Sequence, residues 1–272
     1  MRPTLASPVF LLGLALALPP EFWTGLSFRM IGPSRGGRVT AVAGHRAQPG
    51  TFYMGGVGGG VWKTINYGQT WLNVSDRYLA TGSIGAIRVA ESDPEVVYVA
   101  TGSDGLRSNV IVGKGAYKSV DGGKTWKPLG LEKTGNSGAV LIHPRDPNLV
   151  YVAAIGNPFA PNPERGVYRT RDGGQTWEKV LFVSERTGAV DLEFAPDNPA
   201  EVYATLWRAE RKPWTIISGD DKESGVYKSS DGGDSWKPLT SGLPAGLRGK
   251  ADLAVSAAEP RNRDLAIQII GR

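Results

Sequence analysis

The sequence contains no cysteine in its 272 residues. That absence excludes a disulfide framework, a thiol nucleophile and a thiolate-bound zinc or iron–sulfur centre. Histidine is nearly as scarce, since His45 and His143 are the only two and neither has ligand spacing around it. No metal and no cofactor are expected. Charge of one sign is lacking too: 31 Lys and Arg against 26 Asp and Glu leave a net +5, spread along the chain without a basic run. Nucleic acid is therefore not an expected partner. No apolar run reaches the ~20 residues that a bilayer-spanning helix needs, so no transmembrane segment is expected in the mature chain.

What is abundant is glycine, 37 residues, and proline, 19. Such a composition disfavours long helices and favours a turn-rich β protein. With 40% hydrophobic residues, 8 Trp, 9 Tyr and 7 Phe there is material for a sizeable core. The N-terminus reads separately. Arg2 precedes the apolar run 9–18, Ala15 and Ala17 stand at signal-peptidase spacing, and Pro19 and Pro20 stop the run. Residues 1–20 are expected to be a secretory signal peptide, with a plain apolar tail as the alternative. Export without cysteine suits a bacterial protein that is secreted, periplasmic or held at the cell envelope.

Four segments share one pattern: Thr64 to Trp71, Ser119 to Trp126, Thr170 to Trp177 and Ser229 to Trp236. Their tryptophans are 55, 51 and 59 residues apart, a period in the range of repeat architectures. Each segment follows a short alternating strand, such as Gly166-Val167-Tyr168-Arg169, and holds Asp or Asn at its third place and Gly at its fifth. The carboxylate or amide can accept hydrogen bonds from loop amides, and the glycine can take positive φ without steric cost. Tryptophan at the eighth place is expected to begin the return strand and to anchor it in the core.

Further upstream in each period two apolar segments flank a polar turn. Ala86 to Val89 and Val97 to Ala100 flank Ser92-Asp93-Pro94; Ala189 to Phe194 and Val202 to Thr205 flank Asp197-Asn198-Pro199. Each period thus predicts a four-stranded antiparallel sheet, and the chain is expected to be an all-β propeller occupying 28–272. The blades are expected at 37–76, 84–131, 137–183 and 187–240, with a partial fifth at 250–270. Blades bury their faces only against neighbours, so the half-built fifth suggests part of a seven-bladed or larger ring. A smaller ring closed by Phe28 to Ile31 is the alternative.

The element Ser/Thr-x-Asp-x-Gly-x-Thr-Trp resembles the Asp-box of the BNR repeat, found in sialidase-type propellers, sortilin-like (VPS10) domains and xyloglucan-cleaving glycoside hydrolases. Three boxes fit well, while the first has Asn66 and Tyr67. The segment Phe28 to Val39, with Gly59 to Thr64, also resembles the opening of exported bacterial proteins labelled sortilin N-terminal-like or BNR-repeat glycosyl hydrolase. By that likeness the chain is an N-terminal fragment of a longer protein. The resemblance implies that the box residues serve the outer hairpins: Asn66, Gly68 and Trp71; Asp121, Gly123 and Trp126; Asp172, Gly174 and Trp177; Asp231, Gly233 and Trp236. Asp234, also in the fourth box, reads as a surface residue.

Glycoside hydrolysis needs two carboxyl groups. Asp191 and Asp252 stand at matching places on the innermost strands of adjacent blades and form the candidate catalytic pair; Glu193 shares a strand face with Asp191, opposite Val190, Leu192 and Phe194. Arg38 and Arg88, near inner strands, are candidates for ligand binding. The stretch from Trp207 to Ile217 interrupts the repeat, and its Trp207, Arg211 and Trp214 are further ligand-binding candidates. A smaller excursion at Gly156 to Pro163 occupies the matching place in the third blade. The expected function is that of a non-catalytic exported scaffold binding a protein or glycan partner through its loops; the alternative is a glycoside hydrolase.

Overall fold

The computed structural model describes residues 37–107, 109–256 and, in backbone pairing, 265–270, all within the unit Gly36–Arg272. The expected signal peptide, the segment Phe28 to Ile31 and the turn 258–262 lie outside the described residues. Nineteen strands follow in order among the described residues. The first sheet is β1 (Val39–Gly44), β2 (Phe52–Gly56), β3 (Gly60–Thr64) and β4 (Leu72–Asn73). The second is β5 (Ile84–Ala90), β6 (Asp93–Thr101), β7 (Ala116–Ser119) and β8 (Lys127–Pro128). The third is β9 (Ser137–His143), β10 (Asp146–Ala154), β11 (Gly166–Thr170) and β12 (Glu178–Leu181). The fourth holds β13 (Thr187–Ala195), β14 (Asn198–Arg211), β16 (Gly225–Ser229) and β17 (Lys237–Pro238), with β15 (Ile216–Ser218) paired to the far end of β14. Each is an antiparallel meander whose strands pair in chain order. A two-stranded sheet, β18 (Lys250–Val255) with β19 (Leu265–Ile270), follows.

The core lies between sheets. Alternation along β6 sends Val97 and Val99 toward the first sheet, where they meet Tyr53 and Val61, and sends Val96, Tyr98 and Ala100 toward Val140, Ile142, Val150 and Val152 of the third. Both faces of a blade are thus apolar, which explains the near-continuous Val-rich strands. Each buried Val, Ile or Leu contributes about 1.5–3 kcal/mol, so a blade is stable only with neighbours on both sides.

The first strands of successive sheets pack side by side. Gly85 on β5 and Gly138 on β9 permit this approach, because a Cβ on either would collide with the backbone carbonyl of the next blade, at Ser137 and Val190 respectively. The register slips by one residue near the start of β13, between Ala189 and Asp191, leaving Val190 unpaired. This bulge corrects the simple alternation read from sequence: Ala189, not Val190, shares a cluster with Leu192 and Phe194, while Val190 packs with Ile155 and Trp207.

All four box loops are built alike. In the third, the Thr170 hydroxyl donates to Asp172 Oδ1 (2.7 Å) and accepts the Gly174 amide (2.9 Å), while Asp172 accepts the Thr176 amide (2.9 Å) and hydroxyl (2.6 Å). In the first, Asn66 replaces the carboxylate and its Nδ2 donates to Thr70 Oγ1 at 2.9 Å, reversing the hydroxyl's role. Gly68, Gly123, Gly174 and Gly233 have φ of 84°, 85°, 98° and 88°. The preceding residue is left-handed as well, at Gly122, Gly173 and Gly232, and in the first loop this role falls to Tyr67 with φ 58°.

The tryptophans differ from expectation. Only Trp126 is buried; Trp71, Trp177 and Trp236 are half-buried, and all four precede the return strand by one residue. The rings of Trp126 and Trp177 latch onto the preceding blade, donating to the carbonyls of Val74 (2.9 Å) and Leu129 (2.8 Å). Trp236 donates to Gly233 in its own loop.

Candidate functional site

The segment from Trp207 to Arg211 is not a loop. It extends β14 to 14 residues, and with β15 it forms a hairpin whose tip carries Trp214. Trp207 is therefore a correction to the ligand-binding set: it is 3% exposed, packed with Ile155, Val190 and Ala209, and a ring so enclosed cannot stack on a ligand. Trp214, by contrast, is 83% exposed. Arg211 donates to the carbonyls of Lys212 (2.7 Å) and Thr215 (3.1 Å), which stiffens the turn beneath that ring.

The excursion of the third blade is fastened to this hairpin. The Arg211 amide donates to the Pro158 carbonyl at 2.7 Å. Below them lies Arg165, fully buried, whose guanidinium donates to the carbonyls of Ile155 (3.0 Å), Asn157 (2.7 Å) and Ala209 (3.0 Å). Burial lowers its pKa to about 10, so it remains cationic at neutral pH. Glu210, 1% exposed, balances the local charge through Arg186 (2.7 Å), Lys212 (3.1 Å) and Arg208 (3.5 Å). Burial alone would raise this carboxyl, yet the hydrogen bonds from Arg186 and Lys212 hold it down at about 2. These bonds join the two excursions into one platform, and Phe159 and Trp214 are exposed on it. Sequence reasoning missed Arg165 and Glu210, because nothing in their spacing separates a buried ion from a surface one.

Asp191 and Asp252 stand on neighbouring first strands, β13 and β18. Both oxygens of Asp191 are engaged: Oδ1 accepts the Leu192 amide (2.9 Å) and Oδ2 the Leu253 amide (2.7 Å). The side chain thereby ties the fourth sheet to the next. Burial, opposed by these two amides and aided by the charge of Asp252, raises its pKa above the usual Asp range. Asp252 is more exposed and lies 3.9 Å from Lys250, whose ammonium also meets Asp104 at 3.5 Å. Asp234, read from sequence as a surface residue, pairs with the buried Arg169 at 2.6 Å and with Arg171 at 3.2 Å, joining the third and fourth sheets.

Arg38 and Arg88 stand at opposite ends of the first strands. Arg38 precedes β1, donates to Asn109 Oδ1 at 3.3 Å, and borders a cavity of about 180 Å³ with Asp104 and Arg107. Arg88 lies toward the other end of its strand, 3.9 Å from Glu193, beside a cavity of about 580 Å³. The five ligand candidates therefore do not form one site. Among the described residues no group of three or more His, Asp or Glu could hold a metal, and no helix is long and apolar enough to cross a membrane.

Four-stranded meander blades, stacked face to face and carrying an Asp-box hairpin at each outer edge, define a β-propeller of the BNR type. Residues 114–251, about half the chain, match the Sortilin-Vps10 family, described as sortilin, neurotensin receptor 3. The chain belongs to that family. It is similar to a xyloglucanase of a Paenibacillus species, 25% identical over 233 residues, and to vacuolar protein sorting/targeting protein 10 of Schizosaccharomyces pombe, 31% identical over 137 residues. These matches cover 78% and 49% of this chain but only 22% and 8% of the relatives, so the chain spans a small part of their length. Among solved structures, an ancestral GH74 enzyme superposes with a TM-score of 0.64 at 18% identity, covering 86% of this chain and 30% of that one. The GH74 xyloglucanase from Xanthomonas campestris gives 0.56 at 21%, covering 79% and 32%.

Proposed function

We propose that this chain is a non-catalytic, exported propeller that binds a glycan or protein partner through the connections between its second and third strands. The observation that carries this reading is the platform of the third and fourth blades, where a buried arginine fixes two insertions and leaves Trp214 bare. An exposed aromatic ring held on a stiff turn between Arg211 and Thr215 loses little entropy on binding and can stack on a sugar or a side chain. Export is supported by the apolar run 9–18. The test is binding of the chain to xyloglucan and to bacterial envelope extract, compared with Trp214→Ala. Weaker binding in the variant with an unchanged melting temperature is expected; equal binding by both would refute the platform.

A second reading, glycoside hydrolysis by Asp191 and Asp252, is favoured by one feature: a general acid needs a raised pKa, and burial raises that of Asp191. Against it stand the two amides that occupy its oxygens. Turnover of xyloglucan by the wild type, abolished in both Asp191→Asn and Asp252→Asn, would establish the pair.

A further inference from the structure

The cavity of about 580 Å³ at the C-terminal ends of the first strands belongs to neither reading. In an antiparallel meander these ends lie opposite the connections between second and third strands, so this cavity and the Trp214 platform occupy different faces. Its walls come from four blades: Gly44 to Arg46 from the first, Arg88 to Glu91 from the second, Leu141 to Pro144 from the third, and Glu193 to Pro199 from the fourth. Its size is that of a small-ligand site.

The chemistry of the walls selects among ligands. Two cations, Arg46 and Arg88, face two anions, Glu91 and Glu193, so the lining has no net charge. His45 is fixed in the wall, its Nδ1 accepting the Ala47 amide at 3.1 Å and its Nε2 lying 3.0 Å from the Glu91 carbonyl. A net anionic or cationic ligand would find as much repulsion as attraction. Arg88 and Glu193, moreover, are 3.9 Å apart, beyond hydrogen-bond distance, and neither side chain has another hydrogen bond among the described residues. Five N–H donors and two carboxylate oxygens therefore stand side by side in a half-buried place, a set that matches vicinal hydroxyls, each both donor and acceptor. Pro144, Pro196 and Pro199 supply the C–H surface on which a ring can rest.

We propose that this cavity is a second binding site, for a neutral, hydroxyl-rich saccharide of a few units, with Arg88 and Glu193 as its recognition pair. The proposal is independent of the Trp214 platform. It is tested by titration calorimetry of the full chain with neutral trisaccharides built from glucose, xylose, mannose and galactose, alongside trigalacturonate and a glucosamine trimer. Saturable binding of at least one neutral trisaccharide is expected, weakened at least tenfold by Glu193→Gln and by Arg88→Gln, and unchanged by Trp214→Ala. Both substitutions replace half-exposed side chains, and retention of the melting temperature is checked for each. Absence of binding by every neutral sugar, tighter binding of either charged trimer, or binding lost with Trp214 and kept without Arg88 and Glu193 would each overturn it.

Discussion

The hydroxyl of Tyr151 on β10 donates a 2.7 Å hydrogen bond to the carbonyl of Gly232, 81 residues later in the box of the next blade. Tyr53 makes the equivalent bond to Gly122 at 2.9 Å, and Tyr98 reaches the Pro147 carbonyl at 2.8 Å. The second-strand tyrosines of the first three blades therefore fasten each of these to its successor, whereas Tyr203 of the fourth donates to Glu201 on its own strand; burial pushes the hydroxyl pKa values of the first three above the ordinary range.

Tyr151→Phe removes one such latch without opening a cavity. The Gly232 carbonyl keeps its bond from Arg169, so the loss should be about 1 kcal/mol. A urea midpoint equal to that of the wild type would count against a latch role.

Trp207 and Trp214 are seven residues apart on one hairpin and should behave oppositely. Trp207→Ala should cost about 3–5 kcal/mol, because it empties a packed site between the third and fourth blades. Trp214→Ala should leave thermal stability unchanged. Similar melting temperatures for the two variants would contradict the hairpin geometry.

Tyr67 holds a left-handed backbone that the other three boxes give to glycine. Tyr67→Gly should stabilise the chain by about 1 kcal/mol, the steric relief exceeding the added freedom of the unfolded state. A destabilised variant would show that the exposed ring makes contacts worth more than the relief.

Two carboxyl groups, the half-buried Asp191 and the buried Glu210, should respond to pH with opposite sign. The pKa of Asp191 is raised in the fold, so its contribution to stability is complete below the ordinary Asp range and is lost as pH rises through the raised value. Asp191→Asn should therefore compare more favourably with wild type at pH 7 than at pH 4. Glu210, held at about 2, contributes above the ordinary Glu range, and this is lost as pH falls toward 2. Glu210→Gln should be destabilised by about 3 kcal/mol at pH 7, where it leaves the surrounding cations without their buried partner, and by less in acid. Unfolding curves at the two pH values read both signs.

The repeat carried most of the fold in its residues. The Asp-Gly turns, the valine-rich pairs around the proline turns and the period between tryptophans dictate meander sheets, since each is a local consequence of backbone geometry and of alternation. Contacts that join distant positions were not legible. The bulge at Val190, the extension of β14 through Trp207, the two amides on Asp191 and the pairing of Asp234 with Arg169 depend on which blade faces which. The sequence alone determined that these residues form blades, because hairpins are built from neighbours in the chain. Only the tertiary structure decided which polar side chains became fasteners between blades and which stayed free for a ligand, because the burial and partners of a charge are set by residues tens of positions away.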